Sequence, residues 1–449
     1  MKRTKILLLL LTLLVASAMV LTACGGGATE EPAAEEPAAE EPVAEEPVAE
    51  EPAEEEAGDA IVAEEATPTP AVMEEGSEFN EAPMLAEMVA AGDLPPVDER
   101  LPVEEDIFVV SLVDGVGEYG GTWHNTSWWQ GMGNIEMIVY DPPVRWNREY
   151  TGYEPGMLKS WEISDDGLQL TWNFRQGIKW SDGVDFIPAV DMGYWWELAT
   201  NEDFKVVTVP WWGFDSDGTR MEVSFPDDYT MVFNWTEPHY ISNFVVAQGF
   251  WEWLPMERPK HFLSPHDPNY DSTKTYEDLE AVVYGGDWLM NVEGYPCLHA
   301  WCPTTVTPGE RTILTRNPYY WKVDTDGNQL PYIDEVIYDV GNDVEVLVLK
   351  AMNGEIDFQD RHINAFNNKA VFFDNMEQGD YRLTNRVNAD NNVMEISLNL
   401  THPDPVKNEI FNNKDFRIGL SHAINRQEII DLVFVGQGEP WQAAPLPES

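Results

Sequence analysis

A run of carboxylates interrupted by prolines near the N-terminus limits what this chain can fold into. From Glu30 to Ala53 the repeats Glu-Glu-Pro-Ala-Ala and Glu-Glu-Pro-Val-Ala place a proline at every fifth position. Residues 24–99 hold 24 Asp or Glu residues and no Lys or Arg. Proline at this spacing prevents a helix, and the like charges repel one another. The sequence therefore predicts a disordered, extended tether over residues 24–80, with any globular part after it.

An export signal precedes the tether. Basic residues at the start of the chain are followed by the apolar run Ile6–Val15 and by small residues, which is typical of a signal peptide over residues 1–23. A transmembrane helix is the alternative, but the run is shorter than the ~20 residues that a bilayer span needs. The sequence Leu-Thr-Ala-Cys ending at Cys24 resembles the lipobox of bacterial lipoproteins, whose thiol is lipidated. We expect an extracytoplasmic protein, in the periplasm or on the outer face of the cell membrane, anchored by lipid on Cys24.

Two further cysteines lie close together, at Cys297 and Cys302. An oxidising compartment and an even number of remaining cysteines favour a disulfide between them. The alternative is a metal site built from Cys297, His299 and Cys302. Three clustered ligands without a fourth fit structural zinc poorly. We expect the disulfide, with no metal and no cofactor.

The rest of the chain, roughly 350 residues, exceeds one ordinary domain and predicts two lobes. Period-two alternation predicts strands over Leu168–Phe174, Met231–Trp235, Thr312–Leu314 and Val336–Val340. Helical patterns cover Met84–Ala91 before Gly92, Val344–Asn353 before Gly354, and Lys414–Val433. Because both types interleave, a mixed α/β fold is indicated. The body is acidic as well, so nucleic acid is not an expected partner.

Several motifs occur in one order along this body. Glu154–Phe186 reads EPGMLKSWEISDDGLQLTWNFRQGIKWSDGVDF, with turns at Asp165-Asp166-Gly167 and Ser181-Asp182-Gly183. Arg311–Tyr338 contains an Asn-Pro-Tyr-Tyr-Trp block followed by LPYIDEVIY. The remaining segments are Gly117–Trp123 (GEYGGTW), Val344–Asp357 (VEVLVLKAMNGEID) and Phe416–Gly436 (FRIGLSHAINRQEIIDLVFVG). Together they resemble the family 5 extracellular solute-binding proteins, receptors of ABC importers for oligopeptides, dipeptides, nickel or oligosaccharides.

The resemblance implies a periplasmic-binding-protein-like type II fold of two lobes and three subdomains. Such a receptor closes on its solute by hinge motion and passes it to an ABC permease. We expect the first lobe, with an inserted subdomain, over residues 81–363 and the start of the second over residues 364–449. Because the family's second lobe continues further, we expect a C-terminally truncated sequence that acts as a monomer and lacks an enclosed cleft. The helical face that would then lack its covering sheet is formed by Ile418, Leu420, Ile424, Ile429, Leu432 and Val433.

Tryptophan doublets are the candidate solute contacts. Flat aromatic rings bind peptides or sugars with little loss of conformational entropy. Core packing is the alternative, and it is favoured for Trp195-Trp196, which lie in a helical pattern. For the residues in glycine-flanked loops, cleft and core remain open. The predicted ligand-binding residues are Trp128, Trp129, Gln130, Trp211 and Trp212.

No catalytic motif stands out, so an enzyme is not expected. Acidic pairs are too frequent in this chain to indicate acid–base catalysis, and scattered histidines such as His239 and His299 are interpreted as surface or packed imidazoles. The alternative from another class is a surface-anchored polysaccharide hydrolase, which would need a carboxylate pair ~5 to 9.5 Å apart in the cleft. Within the receptor interpretation, the sequence favours neither oligopeptide nor oligosaccharide.

Overall fold

The computed structural model describes residues 79–127, 136–248, 252–283, 292–341, 343–359, 361–384 and 396–440. Helices and strands alternate along them, which confirms the mixed α/β class. Within these ranges each helix is too short or too polar to cross a bilayer.

The strands and helices are numbered in chain order. The strands are β1 (Phe108–Val110), β2 (Thr122–Ser127), β3 (Val144–Trp146), β4 (Tyr153–Pro155), β5 (Leu158–Ile163), β6 (Gln169–Phe174), β7 (Glu222–Asp227), β8 (Thr230–Asn234), β9 (Trp301–Thr307), β10 (Arg311–Arg316), β11 (Lys322–Asp324) and β12 (Glu335–Val340). The helices are α1 (Pro83–Ala91), α2 (Val97–Arg100), α3 (Glu136–Val139), α4 (Pro188–Ala199), α5 (Ser242–Gln248), α6 (Lys260–Leu263), α7 (Tyr276–Val283), α8 (Val344–Met352), α9 (Lys369–Gly379), α10 (Pro405–Asn412), α11 (Lys414–Ala423) and α12 (Arg426–Val433).

An antiparallel sheet has the strand order β5-β6-β8-β7. The predicted alternation is confirmed in β6, where Leu170, Trp172 and Phe174 are buried while the residues between them are partly exposed. The β5–β6 turn forms because Gly167 has a positive φ of 68° and the Asp166 carboxylate accepts a bond from the Leu168 N–H. The face that carries these three side chains packs into the largest core cluster.

A second, mixed sheet has the order β2-β12-β10-β9. Strand β12 runs parallel to β2 and antiparallel to β10, which in turn pairs antiparallel with β9. Strands β1 and β11 form a separate parallel pair, and β3 and β4 an antiparallel one. The largest core takes side chains from both four-stranded sheets, including Trp172, Phe233, Leu314 and Tyr338. The two sheets therefore share one apolar interior.

Aromatic rings fill much of that interior. The Trp172 and Phe233 rings meet edge to face with centroids 4.7 Å apart, a geometry that adds ~0.5–1.5 kcal/mol beyond the burial of area. Trp195, on α4, is fully buried, which confirms the core interpretation of that residue. Its neighbour Trp196 packs against the cluster from a partly exposed position.

Helices α8 and α9 form a small cluster of their own. Asp343 begins α8 by accepting a bond from the Glu345 N–H, and Leu347 packs with Ile363 and Phe372. Gly354, just after α8, lies close to Gly379, the last residue of α9. A Cβ on Gly354 would lie 2.3 Å from the Gly379 carbonyl oxygen. Only glycine fits this approach, and the positive φ of Gly354, 74°, requires it as well.

The single helix predicted over Lys414–Val433 is wrong. The structure has two helices, α11 and α12, because Ile424 is extended and the Asn425 side chain accepts a bond from the Glu428 N–H, which starts a new helix. The apolar face expected there is partly exposed: Ile418, Leu432 and Val433 are exposed. The other three residues of that face, Leu420, Ile424 and Ile429, are half-buried. Ile430 is the residue of α12 that is buried.

Candidate functional site

An open groove of about 340 Å³ lies beside the Asn-Pro-Tyr-Tyr-Trp motif. Several of the residues that border it are aromatic. The residues that line it are Leu112, Ile138, Tyr140, Asp141, Ala300, Trp301, Tyr320, Leu330, Pro331, Tyr332 and Ile333. They come from the loops next to β1, α3, β9, β11 and β12, so the fold gathers the groove from strand ends and connections.

Hydrogen bonds fix the aromatic wall of the groove. Trp301 begins β9 and donates its indole N–H to the Ile333 carbonyl at 2.9 Å. Tyr332 donates its hydroxyl to Asp324 at 2.5 Å, and its ring lies over Gly117, where an added Cβ would come within 2.5 Å of the ring. The GEYGGTW segment therefore needs glycine at this position in order to pack under the wall.

A cluster of buried charges lies behind this wall, centred on Asp141. The Asp141 carboxylate accepts a bond from the Tyr320 hydroxyl at 2.8 Å and pairs with the Lys322 ammonium at 2.5 Å. The His299 Nδ1 lies 3.5 Å from the same carboxylate. Burial raises the pKa of Asp141, but Lys322 and His299 outweigh it, so that the pKa is well below its usual range.

His299 lies between two carboxylates. Its Nε2 is 3.3 Å from Glu257, on the side opposite Asp141, and all three side chains are buried. Burial alone would lower the pKa of the imidazole, but Glu257 and Asp141 raise it to about 9. Burial raises the pKa of Glu257 and lowers that of Lys322. The two carboxyl groups therefore favour the protonated form of the imidazole.

The cluster neutralises the charge that borders the groove. Among the described residues that line the groove, Asp141 is the one that carries a carboxylate. Its oxygens are contacted by Tyr320, Lys322 and His299. Among its lining residues the groove therefore offers a solute aromatic rings, and its carboxylate is already paired. Such a surface suits an uncharged polar solute.

The predicted tryptophan contacts divide in the structure. Trp211 is 62% exposed, and its indole N–H bonds to Glu252 at 3.1 Å, so its ring is held at the surface. The prediction that Trp212 contacts the solute is corrected by the structure: only 2% of this residue is exposed, and its ring packs against Trp172 and Phe233. In the short 3-10 turn Trp211–Gly213, Trp212 is buried while its neighbour Trp211 is exposed. The structure does not bring Trp211 to the groove-lining set.

Other predicted residues fall outside the described ranges. Trp128, Trp129 and Gln130 do, and so does Cys24. The structure joins Cys297 and Cys302 by a disulfide whose Cα atoms are 5.8 Å apart, inside the usual range. Within the described ranges, His, Cys, Asp and Glu side chains form no group suited to hold a metal ion.

Sequence reasoning missed the buried charges. Asp141, Glu257, His299 and Lys322 lie in loops or at the start of a strand, far apart along the chain. The interpretation of His299 as a packed imidazole was right, but its two acidic neighbours gave no local signal. Lys322, directly after the Asn-Pro-Tyr-Tyr-Trp block, is a sequence signal for a buried ion pair, because a lysine among buried aromatic residues needs a counter-ion.

A sequence profile described as bacterial extracellular solute-binding proteins, family 5 Middle, matches residues 152–449. The periplasmic alpha-galactoside-binding protein of Rhizobium meliloti (strain 1021) is 31% identical over 281 residues, which are 58% of this chain and 39% of the relative.

Two solved structures have a similar fold. An oligopeptide-binding protein OppA is 34% identical with a TM-score of 0.66, over 83% of this chain and 59% of that chain. The periplasmic binding protein MelB from Agrobacterium fabrum C58, in complex with stachyose, is 26% identical with a TM-score of 0.61, over 81% and 56% of the two chains. The present chain thus spans well under two thirds of each of these proteins.

Proposed function

The chain belongs to the bacterial extracellular solute-binding proteins of family 5, and on this basis we propose that it is the solute receptor of an ABC importer, anchored to the membrane by lipid on Cys24. In this role it captures a small solute outside the cytoplasm and delivers it to a membrane permease. The observation that carries the proposal is the aromatic groove beside the Asn-Pro-Tyr-Tyr-Trp motif. The motif lies within the segment that matches the family.

We further propose that the solute is an oligosaccharide. The groove borders Tyr140, Trp301 and Tyr332, and its one carboxylate is neutralised by Lys322 and His299. Aromatic faces stack on sugar rings, whereas a peptide with charged ends needs unpaired counter-charges. The alpha-galactoside-binding relative and the stachyose complex support the same class. Trp211, exposed and held by Glu252, is proposed as an additional stacking surface.

An oligopeptide remains the second candidate, supported by the similarity to the oligopeptide-binding protein OppA. A thermal-shift and calorimetric comparison of the full chain with stachyose and with tetra-alanine separates the two. A bound solute at 100 times its Kd stabilises the folded state by about 2.7 kcal/mol. We expect stabilisation by stachyose alone. Stabilisation by tetra-alanine alone would replace the sugar proposal with the peptide one, and an effect of neither would contradict both.

A surface hydrolase would need two carboxylates free to act on the sugar. Asp141 and Glu257 flank His299 and serve as its counter-ions. Chromatography of the stachyose recovered from the binding experiment tests this alternative directly. We expect intact tetrasaccharide, whereas released galactose would indicate a glycosidase.

The lipid anchor is tested by Cys24→Ser in the full chain. The thiol is the acceptor of the diacylglycerol, so we expect the variant to leave the membrane fraction. Thr22→Ser, which keeps the thiol and changes the same motif, is the matched control and should remain with the membrane. Cys24→Ser protein that stays firmly membrane-bound would contradict the lipoprotein proposal.

A further inference from the structure

The loop closed by the Cys297–Cys302 disulfide connects the groove with the buried charges. Ala300 and Trp301 of this loop line the groove. The His299 side chain does not line it and lies between Glu257 and the groove-lining Asp141. Neighbouring residues of one short segment thus serve two environments.

The backbone of the loop is held from several directions. The Ser181 N–H donates to the Cys297 carbonyl at 3.0 Å, and the Trp321 indole donates to the Leu298 carbonyl at 3.2 Å. The Asn317 side-chain amide donates to the His299 carbonyl at 2.9 Å. Neutral hydrogen bonds therefore anchor three carbonyls of the loop, and the His299 imidazole adds an ionic contact with the core.

The environment of this imidazole is charged on each side. Asp141 and Glu257 face its two nitrogens, and the Trp253 ring lies against it with centroids 5.9 Å apart. The groups that stand behind the carboxylates are Lys322, Tyr320 and Arg258. An uncharged residue in place of His299 would remove the group that lies between the two buried acids, leaving Asp141 with Lys322 and Glu257 with the charge of Arg258 nearby.

We propose that His299 is a positioning residue for solute binding: by joining Asp141 to Glu257 it holds the Cys297–Cys302 loop so that Trp301 stands in the groove wall. The proposal rests on the solute-receptor function proposed above. Its structural part, the link between the imidazole and Trp301, is measurable without any solute.

The first test uses the full chain labelled with 5-fluorotryptophan. Trp301→Phe and Trp253→Phe assign two ¹⁹F resonances, and the wild-type spectrum is followed from about pH 6 to pH 10, across the raised pKa of His299. We expect both resonances to shift in one transition. A transition reported by Trp253 alone would show that ionisation of His299 does not reach the groove, and absence of any transition would show that the imidazole does not titrate there. A transition at Trp253 alone overturns the proposal, and in the absence of any transition the binding comparison of His299→Gln with His239→Gln decides it.

The second test compares His299→Gln with His239→Gln. His239 also pairs with a buried aspartate, Asp215 at 3.2 Å, and stacks on a tryptophan, but it lies outside the groove-lining set. With stachyose as the probe we expect His299→Gln to weaken binding about tenfold, equivalent to 1.4 kcal/mol, and His239→Gln to leave it nearly unchanged. Equal affinities in both variants would overturn the positioning role.

The two tests separate the two levels of inference. If wild-type protein binds no stachyose but Trp301 follows the His299 transition, the proposed solute class fails while the positioning link stands. If stachyose binds and Trp301 does not respond, the receptor proposal stands and the positioning role fails. Where Trp253 reports a transition, the first test decides by wild-type titration, so a poorly folding His299→Gln variant does not affect the outcome.

Discussion

Replacing Asp141 with asparagine tests whether the buried cluster is held together by charge. The substitution keeps the volume of the side chain but removes the counter-ion of Lys322, at 2.5 Å, and one of the two that flank His299, at 3.5 Å. Lys322 and His299 are themselves nearly inaccessible to solvent. Breaking a buried pair from one side leaves an uncompensated charge and lowers the free energy of unfolding by about 3–5 kcal/mol.

A surface pair provides the matched control. Asp339 pairs with Arg311 at 2.6 Å, a contact as short as that of Asp141, but the Arg311 side chain is about half exposed. Solvent screens such a pair, so Asp339→Asn should lower the free energy of unfolding by less than about 1 kcal/mol. The assay is urea unfolding at pH 7, followed by tryptophan fluorescence, with midpoints compared at equal slope.

A double variant sharpens the test. In Asp141→Asn/Lys322→Met the unpaired ammonium is removed together with the carboxylate, so the double variant should be more stable than the sum of the two single losses predicts. The reasoning would be refuted if Asp141→Asn lost no more stability than Asp339→Asn. Strict additivity of the two single losses would refute it as well.

Three further outcomes follow from the same structure. The folded pKa of His299 is raised to about 9, so its contribution to stability is complete below the ordinary pKa of about 6.5 and is lost as pH rises through 9. The free energy of unfolding measured from pH 6 to pH 10 should therefore fall by about 3 kcal/mol, and His299→Gln should flatten that profile. Trp212→Ala should lower the free energy of unfolding by about 3–5 kcal/mol because its ring is buried in the core, whereas Trp211→Ala should leave unfolding almost unchanged and weaken stachyose binding; the reverse pattern would contradict the placement of the two rings. The Cys297–Cys302 bond closes only a short loop, so the double serine variant should lose less free energy of unfolding than the ~3 kcal/mol expected for a 15-residue loop. Urea unfolding measures this loss, and a larger one would contradict the entropic argument.

Local sequence patterns predicted the elements that carry their own periodicity. Strand β6 alternates Leu170, Trp172 and Phe174 inward, and helix α1 ends at Gly92, which adopts the positive φ expected of a helix-ending glycine. The break before α12 also had a local signal. Asn425 followed by Glu428 is a helix start, but the continuous apolar spacing of the surrounding residues concealed it.

The candidate site could not be predicted in the same way. Asp141, Glu257, His299 and Lys322 come from four segments that meet through tertiary packing, and nothing in the spacing of any one of them names the others. The Trp211-Trp212 doublet shows the same limit, because a short turn assigns one ring to solvent and the other to the core according to what packs beneath it. Composition indicated many aromatic rings and many acids, but not which of them meet.

The contact between Gly354 and Gly379 has a consequence for how this chain can diverge. An alanine at Gly354 would meet the Gly379 carbonyl, and one at Gly379 would come within 2.5 Å of the Met352 carbonyl. Neither position accepts a Cβ while α8 and α9 keep this contact. We therefore expect relatives that carry a side chain at either position to dock the two helices differently.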